Sequence, residues 1–161
     1  SRYDGQYQNG KRTGQGIFTF VNGDRYTGEF LDGEQNGTGT FTWKGGAVYE
    51  GSWKNNLQNG KGKYTWANGD IYDGEWKDGK MDGAGIMRQA DGVKFKGSFK
   101  AGLKEGYGIL EDSDGIRYEG TFREGQKDGE FVEKDRNGNL IRKVKYVNGL
   151  VESVSELTSA Q

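Results

Sequence analysis

The stretch that decides the fold is YEGSWKNNLQNGKGKYTWANGDI, residues 49–71. Its framework is Tyr-x-Gly-x-aromatic followed by a Gly-x-Gly pair, and it returns every 23 residues. The leading aromatic residue of each copy falls at Tyr3, Tyr26, Tyr49, Tyr72, Phe95 and Tyr118. A fixed period of this length is typical of a solenoid or array, in which each repeat stacks on its neighbours and the array presents a long surface.

Each repeat is predicted to be a β-hairpin. In residues 49–53 the aromatic and glycine positions alternate with polar ones, which is the period of a strand with one wet face. The same alternation returns in residues 60–66, and the polar residues 54–59 between the two strands predict a loop. Asn68 and Gly69 then predict a tight two-residue turn into the next repeat.

The 30 glycines sit at fixed repeat positions, which indicates structural roles. Gly51 and the Gly-x-Gly pair lie on the same strand face as the rings, where a large side chain needs an empty neighbour. Turn glycines such as Gly69 are expected to supply a positive φ. Asn56 replaces the loop glycine of the other repeats and tolerates the left-handed region. Phe131 replaces the second glycine of the sixth pair, which predicts the start of a C-terminal cap.

The sequences Tyr-Glu-Gly-Ser-Trp at 49–53 and Tyr-Asp-Gly-Glu-Trp at 72–76, with the Gly-x-Gly at 60–62, resemble MORN repeats (membrane occupation and recognition nexus). The resemblance covers residues 3–140. It implies an all-β fold, an elongated, twisted, antiparallel β-hairpin solenoid.

The repeat array is predicted to span residues 1–149, with a degenerate seventh strand that carries Val144, Tyr146 and Gly149. Residues 150–161 are expected to form a C-terminal capping segment or a tail. The apolar residues in this segment follow helical spacing and predict a short helix over 150–158; they are Leu150, Val151, Val154 and Leu157.

Composition excludes several function classes. The chain has no His and no Cys, which removes imidazole catalysis, cysteine nucleophiles and the usual zinc ligands. The recurring carboxylates occupy wet strand positions, so we expect no catalytic site, no metal and no cofactor. The formal net charge is −1, with no half basic enough to predict nucleic-acid binding.

The two halves of the chain differ at the end of the second strand of each repeat. The first three repeats place aromatic residues at two successive positions of one face, and the last three do not. This stripe predicts a partner-binding groove, because aromatic anchors dominate interfaces; the alternative is that the rings only fill the core. The candidate groove residues are Phe18, Phe20, Phe41, Trp43, Tyr64 and Trp66.

Two further surfaces are candidates. On the opposite strand face of the second half, Ile86, Ile109 and Val132 form an aliphatic row that predicts a secondary surface. The only basic cluster is Arg142, Lys143 and Lys145, a candidate lipid contact, although alternating strand positions would split it between two faces.

These observations predict a non-catalytic protein–protein interaction or scaffolding module that binds a partner peptide or helix along the aromatic groove, or that self-associates. The resemblance implies roles of this kind, in scaffolds, in cytoskeletal and motor-tail binding, and as accessory regions of enzymes. The alternatives are a peripheral phosphoinositide- or membrane-binding module, which the balanced charge disfavours, and a regulatory fragment of a larger enzyme. We expect a cytoplasmic protein, with attachment to the cytoskeleton or to a membrane as alternatives.

Overall fold

The computed structural model describes residues 1–156, which form fifteen β-strands and no helix. In chain order the strands are β1 (Arg2–Gln8), β2 (Lys11–Thr19), β3 (Arg25–Leu31), β4 (Glu34–Thr42), β5 (Val48–Lys54), β6 (Leu57–Thr65), β7 (Ile71–Lys77), β8 (Lys80–Arg88), β9 (Lys94–Lys100), β10 (Leu103–Glu111), β11 (Arg117–Arg123), β12 (Gln126–Lys127), β13 (Gly129–Lys134), β14 (Leu140–Val147) and β15 (Leu150–Glu156). The first strand of each hairpin starts 23 residues after the previous one. The predicted all-β class built from hairpins is confirmed.

The chain divides into two compact units, the first covering Ser1–Met81 and the second beginning at Asp82. Within each unit the strands pair antiparallel in sequence order, with the short β12 paired to β11 beside this order. The register keeps aromatic residues opposite one another, as where Tyr64 in β6 pairs with Tyr49 in β5. We call the side of each unit that carries these rings its ring face, and the other side its opposite face.

The turn inside each hairpin is shorter than the sequence predicted. β5 ends at Lys54 and β6 begins at Leu57, so only Asn55 and Asn56 connect the strands, with φ of 50° and 67°. Two successive positive φ values are those of a type I′ turn, whose twist matches that of the flanking strands. The left-handed conformation predicted for Asn56 is confirmed, but the predicted loop over 54–59 is wrong, because pairing continues almost to the turn.

The connection between repeats is longer than predicted. Trp66 N donates to Asp70 O at 2.8 Å and Gly69 N donates to Trp66 O at 3.0 Å, which encloses three residues rather than two. Gly69 has a φ of 97°, so the connection is a turn followed by a left-handed glycine. Asn68 Oδ1 accepts a hydrogen bond from Asp70 N at 2.9 Å, and this side-chain contact favours the longer form.

The core of unit 1 is a stack of rings, which consists of the leading tyrosines with Phe30, Trp53 and Trp76. Tyr26, Tyr49 and Tyr72 are completely buried. The Tyr49 ring meets the rings of Trp53 and Trp76 edge-on, at centroid distances of 5.1 and 5.3 Å. The Tyr49 hydroxyl donates to Ser52 O at 2.9 Å, so burial leaves its donor satisfied.

The core of unit 2 continues the pattern with phenylalanines, and Phe131 alters it. Phe131 is fully buried and its ring packs edge-on against Phe122 at 5.3 Å and Tyr146 at 5.3 Å. It covers Gly120, so it takes the place that the leading Tyr118 would fill in other repeats. The hydroxyl of the displaced Tyr118 instead donates to Asp112 Oδ2 at 3.2 Å.

The predicted C-terminal helix is wrong: residues 150–156 form β15, which pairs antiparallel with β14. The reason lies just before it, where Asn148 and Gly149 have φ of 52° and 80° and form another type I′ turn. That turn returns the chain onto β14 and brings Val154 opposite Val144. The part of the predicted helix over 157–158 lies outside the described residues.

Candidate functional site

The six candidate groove residues come together on the ring face of unit 1. Each ring contacts the next, with centroid distances of 4.6, 5.6, 4.4, 5.2 and 4.6 Å along the series. All six are half-buried. We call this series the ring ladder; in order it consists of Phe18, Phe20, Phe41, Trp43, Tyr64 and Trp66.

The repeat geometry explains why the ring ladder forms. Phe18, Phe41 and Tyr64 lie at the same position near the ends of β2, β4 and β6. The other three rings follow two residues later and immediately precede each three-residue connection, where Trp43 N donates to Ala47 O at 2.9 Å. Each successive repeat therefore adds two rings to the ladder. The ladder contacts the core at Phe41, whose ring centroid lies 6.0 Å from that of Trp53.

A cavity of about 370 Å³ opens beside the first three rings of the ladder, Phe18, Phe20 and Phe41. Its lining combines rings with polar groups, and consists of Arg12, Phe18, Phe20, Phe30, Gly33, Gln35, Phe41 and Asn56. A ring-lined opening with a few convergent polar groups is the usual form of a binding site. The sequence had predicted the rings of the ladder but not the polar groups.

Arg12 is the charged group in this cavity. Its guanidinium carbon lies 4.8 Å from the centroid of the Phe18 ring and 5.6 Å from that of Phe30, a cation–π arrangement. One terminal nitrogen donates to Gly33 O at 2.6 Å, while Nε is buried and has no hydrogen-bond partner. No carboxylate within residues 1–156 forms an ion pair with it. Arg12 is therefore suited to receive an anionic group from outside.

The aliphatic row of the second half lies on the opposite face of unit 2. Ile86, Ile109 and Val132 are half-buried, and the register places Lys96 between the first two and Glu119 between the last two. The three residues thus share a face but do not touch as a continuous apolar strip.

The basic cluster is split between the two faces of unit 2. Arg142 points to the ring face, where its Nε lies 2.6 Å from Glu133 Oε2. Lys143 and Lys145 lie on the opposite face, and Lys145 pairs with Glu152 at 3.2 Å. The three side chains therefore do not converge on one site.

A sequence profile of the MORN repeat matches six consecutive segments, which leave few residues uncovered: 3–25, 26–48, 49–71, 72–94, 95–117 and 118–139. The chain belongs to the MORN-repeat family. The comparison with curated proteins found no match. Among solved structures, one similar chain is the SAS-4 (dCPAP) TCP domain of Drosophila melanogaster, solved with a proline-rich motif of Ana2 (dSTIL). It shares 16% identity, the alignment covers 89% of this chain and 85% of that one, and the TM-score is 0.49.

One position of the MORN repeat differs between the copies and places its side chain beside the rings in repeats 1, 5 and 6. The position of Arg12 in the first repeat is occupied in the following repeats by Gln35, Gln58, Met81, Lys104 and Lys127. In unit 2 both lysines lie over rings: the Lys104 Nζ is 5.1 Å from the Phe95 centroid, and the Lys127 Nζ is 4.0 Å from that of Tyr118. Burial lowers the pKa of both lysines. Comparison of this column across the repeats could have found Arg12 from the sequence.

The described part of the MORN array offers no grouping of metal-binding side chains. Within residues 1–156 no three His, Cys, Asp or Glu side chains lie close enough to hold a metal ion. The same residues contain no helix of the length and hydrophobicity needed to span a membrane. The chemistry that the surface offers is that of aromatic rings, cations and carboxylates.

Proposed function

We propose that this chain is a non-catalytic protein-interaction module, and that its ring ladder binds an apolar segment of a partner protein that carries a carboxylate. The observation that carries the proposal is the unbroken series of ring contacts from Phe18 to Trp66, beside a cavity lined by Arg12, which forms no ion pair within residues 1–156. Membership of the MORN-repeat family supports an interaction role, since repeat arrays usually serve as binding surfaces.

The energetics favour this surface over the rest of unit 1. Tryptophan, tyrosine and arginine are the residues that most often contribute at least about 2 kcal/mol each to an interface. Half-buried rings are already held in place by neighbouring rings, so these rings lose little further side-chain entropy when a partner covers them. Arg12 adds direction, because it lines the cavity and forms no ion pair within residues 1–156, so its positive charge attracts a partner carboxylate that enters there.

A lipid-binding role is less well supported. Peripheral attachment to an anionic bilayer depends on several cations that face the same side. The candidate lipid contact does not meet this condition, because Arg142 and Lys143 lie on different faces and Arg142 and Lys145 are each engaged with a carboxylate. The absence of cysteine suits a protein of the cytoplasm, where we place it under this proposal.

The test uses a library of twelve-residue peptides displayed on phage and selected against the immobilised full chain. A selected peptide is then labelled, and its dissociation constant is measured by fluorescence anisotropy for the wild type, Phe20→Ala and Trp43→Ala. We expect each ladder variant to weaken binding by about tenfold or more. The control is Leu31→Ala, which removes an exposed apolar side chain that lies off the ladder in the same unit and should change binding by less than about twofold.

Peptides that bind the ladder variants as tightly as the wild type would contradict the proposal. A large fall in the melting temperature of Trp43→Ala would show instead that the ladder rings only fill the core. Sedimentation velocity of the wild type alone tests self-association: a dimer that Trp43→Ala dissociates would mean that a second copy is the occupant.

A further inference from the structure

The opposite face of unit 2 carries two rows of side chains that run from strand to strand. The first row is Arg88, Lys94, Glu111, Arg117 and Lys134. The second row is Ile86, Lys96, Ile109, Glu119, Val132 and Lys143. Together they hold six cations and two carboxylates, and one of those carboxylates, Glu119, is engaged with Lys134 at 2.8 Å.

The centre of these rows is an open, cation-rimmed hollow. A cavity of about 210 Å³ is lined by Lys94, Lys96, Ile109, Glu111 and Arg117. Lys94 and Arg117 are half-buried, and Arg117 Nε is buried without a hydrogen-bond partner. Among residues 1–156 neither lysine of the lining nor Arg117 lies within an ion pair. Glu111 is the one carboxylate of the lining and stands opposite both Lys94 and Arg117, so the hollow carries more positive than negative charge. Half-buried cations are incompletely solvated, and an anion bound here would stabilise them.

This charge is not required by the fold, because unit 1 lacks it. The same two rows on the opposite face of unit 1 hold equal numbers of cations and carboxylates. The cations there are Arg2, Arg25 and Lys63, and the carboxylates are Asp4, Glu50 and Asp73. Positions that a repeat can fill with threonine, valine or isoleucine are filled with lysine and arginine in unit 2.

We propose that the opposite face of unit 2 binds an acidic segment of a protein partner, with its carboxylates at Arg117, Lys94 and Lys96. The apolar floor at Ile109 and the ring of Tyr107, which is 61% exposed on the same face, supply the apolar contacts that a protein segment uses. Glu111 and Glu119 lie among the cations and would repel a uniformly negative surface such as an anionic bilayer or a nucleic acid. A protein segment that carries both acidic and apolar side chains therefore fits this face better.

The probe is a fluorescein-labelled ten-residue peptide in which glutamate and leucine alternate, measured by anisotropy against the full chain at 50 mM and 150 mM NaCl. We expect Arg117→Glu and Lys96→Glu each to weaken binding by about tenfold, because a reversed charge repels the peptide. The matched control is Arg25→Glu, the same change at the same repeat position in unit 1, which should alter affinity by less than about twofold.

Equal losses for Arg25→Glu and Arg117→Glu would overturn the proposal, since only net charge would then matter. So would a failure of the peptide to bind at 50 mM NaCl. Two further probes are measured in parallel: vesicles of phosphatidylcholine with one-fifth phosphatidylserine, and a ten-nucleotide single strand of DNA. If the peptide does not bind and one of these probes binds in a way that depends on Arg117, the face is a membrane- or nucleic-acid-binding surface and the proposal is wrong. Lys96 is exposed, so Lys96→Glu keeps the test valid if Arg117→Glu unfolds the chain. The loss caused by Arg117→Glu should persist in the Trp43→Ala background, which separates binding at this face from any binding of the same peptide at the ring ladder.

Discussion

The ring of Tyr49 covers the backbone of Gly62, and a methyl group added to that glycine would overlap the ring. The same relationship holds between Tyr26 and Gly39 and between Phe95 and Gly108. The leading aromatic residue and the second glycine of each pair are therefore one structural unit. Each buried ring contributes on the order of 1.5–3 kcal/mol, and the glycine makes that burial possible.

Replacing Gly62 by alanine should unfold or strongly destabilise unit 1. The added methyl overlaps both ring and hydroxyl of Tyr49, and overpacking of this kind costs about 1–3 kcal/mol or more. The control is Gly45→Ala, where nothing lies within 4 Å of the added carbon and the backbone φ is compatible with a side chain. Urea denaturation followed by near-ultraviolet circular dichroism measures both. A Gly62→Ala protein as stable as Gly45→Ala would show that the ring moves aside freely.

Alkaline pH should destabilise the array through its buried tyrosines. Burial raises the pKa of Tyr49 above its ordinary value, because the ionised phenolate is poorly solvated in the core. A raised folded-state pKa means that this contribution to stability is complete below the unfolded pKa of about 10 and is lost as pH rises above it. Tyr49→Phe keeps the ring, as Phe95 does in the fifth repeat, but loses a hydrogen bond worth about 1 kcal/mol.

The free-energy difference between the wild type and Tyr49→Phe should therefore shrink between about pH 9 and about pH 11.5. Urea titrations at half-unit intervals measure it. A difference that stays constant over this range would mean that the Tyr49 hydroxyl ionises as readily in the folded chain as in the unfolded one.

Arg142 should stabilise unit 2, because it pairs with the buried carboxylate of Glu133. Glu133 is only 3% exposed; its Oε2 accepts from Arg142, and its Oε1 has no partner. Arg142→Ala leaves that buried charge uncompensated and should destabilise unit 2 more than Lys143→Ala does. Adding Glu133→Leu to Arg142→Ala should restore stability, because Leu110 fills the same position in the preceding repeat. If the double variant is less stable than Arg142→Ala alone, the carboxylate has a further favourable role.

Lys104→Gln should stabilise the protein slightly at neutral pH. Burial lowers the pKa of Lys104, so the folded state disfavours its charge despite the Phe95 ring at 5.1 Å. Glutamine fills the same position at Gln35 and Gln58 and carries no charge. The expected rise in melting temperature is about 1 °C, since solvent screens a half-exposed group. Lys100→Gln, at an exposed site on the neighbouring strand, is the control. A fall in the melting temperature would mean that the cation–π contact outweighs desolvation.

The 23-residue period predicted the fold. The leading aromatic residue and the second glycine of the Gly-x-Gly pair must recur together, because each hairpin packs through that contact. It predicted the ring ladder because the columns of Phe18 and Phe20 stay aromatic for three repeats and then change. It did not predict the turn lengths, since Asn55 and Asn56 read as polar loop until their pairing partners are known. The helix expected over 150–158 failed because apolar spacing alone cannot show that the Asn148–Gly149 turn returns the chain to β14.

Arg12 and Arg117 illustrate what a single repeat cannot reveal. Each is an ordinary charged residue at a wet or mixed position of its own strand. Each becomes a candidate binding residue only through its neighbours, which are rings for Arg12 and other cations for Arg117. Most of these neighbours come from other strands. Cross-strand register, which a sequence period implies only approximately, brings these neighbours together.

The most direct test of the ring ladder uses the four tryptophans, two of which lie in the ladder (Trp43 and Trp66) and two in the core (Trp53 and Trp76). Labelling with 5-fluorotryptophan gives one fluorine resonance for each, assigned by single Trp→Phe changes. On titration with a peptide selected against the full chain, the resonances of Trp43 and Trp66 should shift strongly and those of Trp53 and Trp76 only slightly. Binding that leaves the Trp43 and Trp66 resonances unmoved would contradict the assignment of the ladder as the partner-binding surface.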